Sequence, residues 1–232
     1  MDSGRYQLND PRYLREEKPK EIWRHMVSKA REVGFRGGAW CDVGCASGAL
    51  LRYVVEQFTI EECVGVDPGR ELLDFAATLG PSGAEWVQDS LPDLELVAGR
   101  TFDAVSCSGV LALMDNIEEN LRTLCRLVRP EGHLFIIDLI NPQPIDMIMR
   151  YRHSGSGTWE VAYNTFSENT YRLVALELGM DVDFTPANMP FAISKSDDPM
   201  RAWTTRVGNN PYQVVSGTGQ ILMFSIATFT WS

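Results

Sequence analysis

The sequence predicts an α/β fold: a doubly wound, mostly parallel sheet with helices on both faces. Three observations carry this expectation. Five short apolar runs, Ala39–Gly44, Cys63–Asp67, Glu85–Asp89, Phe102–Ser106 and His133–Leu139, are each bounded by Gly, Asp or Pro and read as buried strands. The segments between them have helical spacing, and strands that alternate with helices pair in parallel through crossovers. The composition is that of a globule, with 232 residues, 44% hydrophobic and 22% charged. That excludes disorder, collagen and coiled coil. A chain of this size buries about 70–75% of its unfolded surface, so its core needs no disulfide or metal.

Taken in order, residues 1–37 form a helical arm and 38–232 the main domain. The arm's 1–31 segment carries eight Lys/Arg and five Asp/Glu, a local +3 against −13 for the remainder, as expected of a solvated amphipathic helix. After the fourth strand, Ile117, Leu121, Leu124 and Val128 line one helix face. Asn116 is its N-cap, Glu119 completes a capping box, and Pro130 follows its end. Residues 141–164 hold Pro, Gly, Ser, Tyr and Trp without periodicity, the pattern of a lid or binding segment. Ser167 caps a helix through Tyr171, Val174 and Leu178 that stops near Gly179. Asp181–Met189 and Gln220–Thr230 read as strands. Within 190–218, Arg201–Val207 and Tyr212–Ser216 flank Gly208-Asn209 as an inserted β-hairpin.

The formal net charge of −10 argues against nucleic acid as a partner, because phosphate backbones call for the opposite sign. Cysteines 41, 45, 63, 107 and 125 are odd in number and contain no CxxC pair, so buried thiols in a reducing, cytoplasmic setting are expected, and no metal. The first twenty residues have no apolar core, so no signal peptide is expected. The longest apolar run, Leu134–Ile140, is broken by Asp138 and is too short to cross a bilayer. No signal for an oligomeric state is present.

The chemistry concentrates at the end of the first strand, Trp40-Cys41-Asp42-Val43-Gly44-Cys45-Ala46-Ser47-Gly48-Ala49-Leu50. A strand, a small-residue turn and a helix start let backbone approach a ligand and offer N–H groups to it. Asp67 closes the second strand and is placed to accept both hydroxyls of a ribose. Asp42 stands where it orients the loop and meets a ligand amine, and Asp89 closes the third strand where an adenine amino group would lie. Gly44, Ala46 and Ala49 also read as a degraded dinucleotide fingerprint, but no Tyr-x-x-x-Lys pair accompanies it. A nicotinamide-dependent reductase is therefore the weaker reading. A non-catalytic binding module is the other alternative.

On these residues the sequence resembles the class I S-adenosylmethionine-dependent methyltransferases, over about residues 36–140 and by topology beyond. The family's Asp/Glu-x-Gly-x-Gly-x-Gly loop appears as Asp42-Val43-Gly44-Cys45-Ala46-Ser47-Gly48, with Ala46 in place of the middle glycine. That departure costs little if the Ala46 backbone keeps a negative φ. The resemblance implies a Rossmann-like seven-stranded sheet, its last strand antiparallel and inserted beside the fifth. It implies S-adenosylmethionine as cofactor, with S-adenosylhomocysteine as product, held by Asp42, Gly44, Cys45, Ala46, Gly48, Asp67, Pro68, Asp89, Ser90, Ser106 and Cys107. Phe102–Leu111 corresponds to the fourth strand and the loop beneath the methionine moiety, and Arg129–His133 to the turn into strand five.

Transfer from a sulfonium needs an acceptor held in line, and an oxygen acceptor also needs a proton removed. His153 in the lid and Asp138 late in strand five are the candidate bases, and Tyr151, Tyr163 and Asn164 the candidate acceptor contacts. His133 lies at the wrong strand end for a site, and His25 on the arm. The fourth strand ends Ser-Cys-Ser-Gly without the Asn/Asp-Pro-Pro-Tyr/Phe that marks base and amide methylation in the family. Asp115 and Asp138 do not reproduce the pattern of the metal-dependent catecholate type. Arg150, Arg152, Lys195, Arg201 and Arg206 are solvated or hold an acceptor anion, while Trp159, Trp203 and Tyr212 stack on a ring or pack the insertions. The acceptor expected is a small hydroxylated metabolite or carbohydrate, methylated at oxygen, with N- or C-methylation the alternatives.

Overall fold

The computed structural model describes residues 19–152, 154–155, 157–195, 202–206, 208–215 and 224–231, with 213–215 and 224 described by backbone alone. Its elements are α1 (Glu21–Glu32), β1 (Gly37–Val43), α2 (Ala49–Gln57), β2 (Thr59–Asp67), α3 (Arg70–Leu79), β3 (Glu85–Gln88), β4 (Phe102–Ser108), α4 (Ile117–Arg126), β5 (Val128–Asn141), β6 (Arg150–Tyr151), β7 (Glu160–Val161), β8 (Phe166–Ser167), α5 (Glu168–Leu178), β9 (Met180–Pro186), β10 (Trp203–Thr205), β11 (Gln213–Val215) and β12 (Phe224–Trp231). The main sheet runs β3-β2-β1-β4-β5-β12-β9, with β8 paired to the end of β5. β1 to β5 pair in parallel, and β12 lies antiparallel between β5 and β9. The fold class is the expected one: a Rossmann-like sheet whose last strand is reversed and inserted.

Strand alternation divides the core into two layers. Trp40, Ala104, Phe135, Ile137 and Ile226 face α1 and α2, meeting Trp23, Met26, Leu50, Leu51 and Val54. Cys41, Val43, Val105, Leu134 and Ile136 face α4 and α5, meeting Leu121, Leu124, Tyr171 and Val174. The first layer is keyed by aromatic rings: Trp40 lies 5.1 Å edge-on to Phe35 and 5.8 Å stacked on Phe135. Such pairs add about 0.5–1.5 kcal/mol each beyond the area they bury. Lys29 on α1, nearly buried, bonds Asp183 of β9 and Glu32 at 2.9 Å, so α1 is fixed across the back of the sheet.

The helix caps follow the sequence, but α4 stops at Arg126: Val128, expected on its inner face, opens β5, and Pro130 lies within that strand. Asn116 accepts from the Glu119 N–H, and its side-chain amide, rather than the backbone N–H of a capping box, donates to the Glu119 carboxylate at 2.6 Å. Ser167 accepts from the Thr170 N–H at 3.2 Å, and Gly179 ends α5 in the left-handed region. The hairpin at Gly208 forms as β10 against β11. The strand limits differ most in three places: β2 begins at Thr59, four residues before Cys63. β5 begins at Val128 rather than His133, because residues 129–132 form a bulge against Asp103 within one long strand. β9 ends at Pro186, and Met189 makes only an isolated bridge to Tyr212. The sixth strand of the sheet is otherwise where the sequence puts it. Of the predicted Gln220–Thr230 strand, Phe224 onward is described; residues 220–223 lie outside the described residues, as do 1–18 of the arm.

Trp86 on β3 sets the spacing of this half of the sheet. Its ring fills the space where a Cβ would stand at Gly48, Gly65 and Gly80, at 2.4, 2.5 and 2.2 Å. Gly65→Ala is therefore expected to destabilise the fold by about 1–3 kcal/mol through overpacking. In combination with Trp86→Leu the penalty should shrink well below the sum of the single changes. A double-mutant cycle from chemical denaturation measures this, and strict additivity would show that the ring and the glycine do not compete for space.

Candidate functional site

β1 and β2 deliver their carboxyl ends side by side, and the loop after β1 is tied to β2 rather than left to itself. The Gly44 and Cys45 N–H groups both donate to the Val66 carbonyl, at 2.8 and 3.0 Å. The Ala46 N–H donates to Asp67 Oδ2 at 2.9 Å, and the Gly69 N–H to Asp67 Oδ1 at 2.8 Å. One acid thus fixes both the β1 loop and the β2 turn while each oxygen keeps a further lone pair. Burial raises the Asp67 pKa above the usual carboxylate value, and the two backbone donors oppose that rise.

Gly44 has φ +79°, and a Cβ there would stand 2.2 Å from Val110 Cγ2. The loops after β1 and β4 are thus in contact, and only glycine admits that approach. Ala46 has φ +46°. The condition that its backbone stay at negative φ is not met. The loop holds a side-chain-bearing residue in the left-handed region, a strain of roughly 1–2 kcal/mol that the Asp67 bond offsets in part. Cys45, Ser47 and Cys107 are buried, and Cys45 Sγ lies 2.9 Å from where a Gly65 Cβ would stand. Burial pushes the Cys45 and Cys107 thiols well above their ordinary value, so neither is a nucleophile.

Behind the loop lies a buried relay. Trp40 Nε1 donates to Ser106 Oγ at 2.9 Å, and Ser106 Oγ donates to Asp42 Oδ1 at 2.6 Å. Burial raises Asp42 to about 7, against the Ser106 bond that lowers it. Ser106 thus braces Asp42 from within the sheet. Asp138 is the second buried acid. It accepts from the Ala112 and Leu139 N–H groups at 2.9 and 2.8 Å, and burial again raises it to about 7. Its oxygens hold the 111–113 turn that follows β4.

Asp89, half-buried after β3, accepts from its neighbour Ser90 N at 2.8 Å and from Leu96 N at 2.7 Å. Exposed Pro68 receives the Gln88 amide on its carbonyl at 3.2 Å. The β1, β2 and β3 ends therefore share one edge with the loop from Ser108 to Asp115.

The segment after β5 is bonded to that loop through Asn164. The Asp146 carboxylate accepts from Ser167 N and Thr170 Oγ1, both at 2.6 Å, and Met147 bridges Thr165. β6 and β7 form a short hairpin in which Tyr151 Oη donates to Glu160 at 2.9 Å. Asn164 is fully buried: its amide donates to Met114 O at 2.7 Å and its oxygen accepts from Met149 N at 2.8 Å. Tyr163 is half-buried beside it, while His153 lies outside the described residues. Most of the cations meet local partners. Arg150 pairs with Asp115, Arg152 lies 5.0 Å over Trp159, Lys195 5.8 Å over Trp203, and Arg206 5.5 Å over Tyr212; Arg201 is outside the described residues. Sequence reasoning missed the role of Trp40, whose signal was its position two residues before Asp42 on the same strand face. A surface groove of about 570 Å³ between Asp93 and Arg126 contains none of these residues.

The residues present fit an adenosyl group. Asp67 offers a pair of acceptors for a vicinal diol, the β1 loop admits close approach, and the space over Gly109, at φ +70°, is open to beyond 4 Å.

Comparison with known proteins agrees. A family profile described as a methyltransferase domain matches residues 13–230. Ubiquinone biosynthesis O-methyltransferases of Vibrio campbellii and Vibrio vulnificus are 28% identical over 109 residues and 27% over 118. These matches cover 46% and 50% of this chain and 46% and 48% of those proteins, so the chain spans about half the length of the curated relatives it matches. Among solved structures, a DhpI–SAH complex superposes with TM-score 0.62 at 14% identity, covering 99% of this chain and 91% of that one. SAM-bound CalS10, an amino pentose methyltransferase from Micromonospora echinaspora, gives 0.58 at 15% identity over 78% and 91%. Those likenesses establish the fold. The profile match across nearly the whole chain goes further: the chain belongs to the methyltransferase-domain family, the class I S-adenosylmethionine-dependent methyltransferases.

Proposed function

We propose that this protein transfers a methyl group from S-adenosylmethionine to a hydroxyl of a small-molecule acceptor seated beneath residues 141–164. The observation that carries the reading is the single acid, Asp67, that ties the β1 loop to the β2 turn and still offers lone pairs for a ribose diol. Oxygen is favoured as target by the O-methyltransferase relatives and by a fourth strand that ends in Ser-Cys-Ser-Gly. Residues 1–37 act as an arm, 38–232 as the catalytic domain and 190–218 as an inserted hairpin. Five free thiols support a cytoplasmic setting. Among the described residues no helix is long and apolar enough to cross a membrane, and no group of three or more His, Cys, Asp or Glu is gathered to hold a metal.

When bound, the sulfonium supplies a strongly electrophilic methyl group. The chain's own part is binding, orientation and proton removal. Gly44, Cys45, Ala46 and Gly48 present the loop; Asp67 and Pro68 the ribose side; Asp89 and Ser90 the adenine side; Ser106 and Cys107 the floor. Ionised Asp42 would hold the cofactor's ammonium. Asp138 holds the 111–113 turn through backbone donors and burial raises it to about 7; it and His153 are the candidate bases for the acceptor proton. Tyr151 and Tyr163 line the acceptor side, and Asn164 holds the segment in place.

A panel of catechols, hydroxybenzoates, sugars and amino sugars, assayed for S-adenosylhomocysteine release, tests the acceptor. Product methylated only at nitrogen would overturn the oxygen assignment. Asp67→Ala should weaken cofactor binding by about 1–3 kcal/mol, because it unpairs the diol and both loop donors; unchanged calorimetric affinity would remove Asp67 from the site. His153→Ala should lower kcat by about 10²–10⁴ with cofactor affinity held; full activity would show that no histidine base is used.

The two raised acids give a pH signature. An acid whose folded pKa is raised binds its proton more tightly when folded, so stability of the cofactor-free protein should fall as pH rises from about 4, the unfolded value, to about 7. Asp138→Asn and Asp42→Asn should each flatten that fall in thermal melts. Pairing with an ammonium favours ionised Asp42, so S-adenosylhomocysteine should bind roughly ten-fold tighter at pH 7.5 than at 5.5. A profile that persists in Asp42→Asn would place the ammonium elsewhere.

A further inference from the structure

The lid-side segment is not uniformly attached. Its base is fixed at several points: Asn141 Nδ2 donates to Ile145 O at 2.8 Å, Asp146 caps α5, and Met147 bridges Thr165. The β6–β7 hairpin has a different attachment, to the loop after β4. Arg150 Nη2 donates to both oxygens of Asp115, at 2.6 Å to Oδ1 and closer to Oδ2. Asn164 Nδ2 reaches the same Asp115 Oδ1 at 3.1 Å, and Asn164 Oδ1 accepts from Met149 N and from Arg150 Nη1 at 3.4 Å. Asn164 also holds Ala112 O through its backbone N–H at 2.7 Å and Met114 O through its amide. A buried amide and an exposed ion pair therefore join two loops at one node, and neither loop is sequence-adjacent to the other. Arg150 holds Asp115 below the usual carboxylate range.

We propose that Asp115 is a positioning residue: through Arg150 and Asn164 it clamps the β6–β7 hairpin to the 109–116 loop and so sets the height of the acceptor space above β4 and β5. The clamp rests on the reading that this segment covers the acceptor, and it works by geometry rather than by contact with substrate. Asn164 supplies the permanent part of the node, being buried and fully bonded. Arg150–Asp115 supplies the releasable part, because both side chains reach solvent, with 30% and 51% exposure. A pair of that kind contributes little to global stability yet biases a local opening.

Hydrogen–deuterium exchange on the full chain reads the clamp without any acceptor. Asp115→Asn and Arg150→Met should each speed exchange of amides in 147–162 by about ten-fold, leaving the β1–β5 sheet unchanged. The charge-swapped double variant, Asp115→Arg with Arg150→Asp, should return the rate to within about two-fold of the parent. Raising NaCl to about 1 M should speed exchange in the parent and not in the single variants. Calorimetry with S-adenosylhomocysteine should give Kd within two-fold throughout. With 3,4-dihydroxybenzoate as probe, KM should rise about ten-fold in the single variants while kcat changes less. Unchanged exchange in both single variants, acceleration across the whole chain, or no recovery on charge swapping would each overturn the clamp. Absence of turnover on the probe alone would count against the acceptor reading, with exchange still deciding the clamp.

Discussion

The structure depends on one buried acid accepting from two backbone groups on different strand ends. Asp67 receives the Ala46 and Gly69 N–H groups, so the loop after β1 cannot move without the turn after β2. Parallel strands bring their carboxyl ends to one edge, but parallel pairing alone does not fix the loops that leave them. The Val66 carbonyl, taken by both Gly44 and Cys45, fixes the loop's start, and Asp67 fixes its middle. Val110, packed where a Gly44 Cβ would stand, then sets the loop after β4 against it. Three loops become one surface through contacts that only small residues permit.

The cost of this arrangement is electrostatic. Asp42, Asp67 and Asp138 are all buried on or beside the carboxyl edge, and burial raises each above its ordinary value. None is left without donors: Ser106 serves Asp42, Ala46 and Gly69 serve Asp67, and Ala112 and Leu139 serve Asp138. A buried carboxyl with fixed donors holds backbone in a single place, which is what a cofactor crevice requires. A cationic ligand would find two of these acids with pKa values near neutrality, where a small change in surroundings alters their charge.

The segment after β5 obeys the opposite logic. It is bonded firmly at its base through Asp146 and Asn164 and lightly at the hairpin, where an exposed ion pair and a guanidinium over Trp159 make the contacts. Of the cations that the sequence leaves open for an acceptor anion, the four described, Arg150, Arg152, Lys195 and Arg206, lie against acidic or aromatic neighbours.

The sequence by itself determined the alternation of strands and helices, the caps at Asn116 and Ser167, and the loop with its acid at 67. These are local: residue type decides which backbone can turn tightly, which side chain can cap, and which alternation buries a strand. Only the tertiary structure decided what the buried acids do. Whether Asp138 points its lone pairs at a ligand or at Ala112 depends on how β4 and β5 register and where the following turn falls, which no spacing encodes. The same holds for Ala46, whose left-handed backbone is bonded to Asp67, and for Asp115 with Arg150, charges thirty-five residues apart that meet where two loops come together. Hydrogen-bond partners at long range are set by the packing of whole elements, and the pattern of one chain lists the candidates without choosing among them.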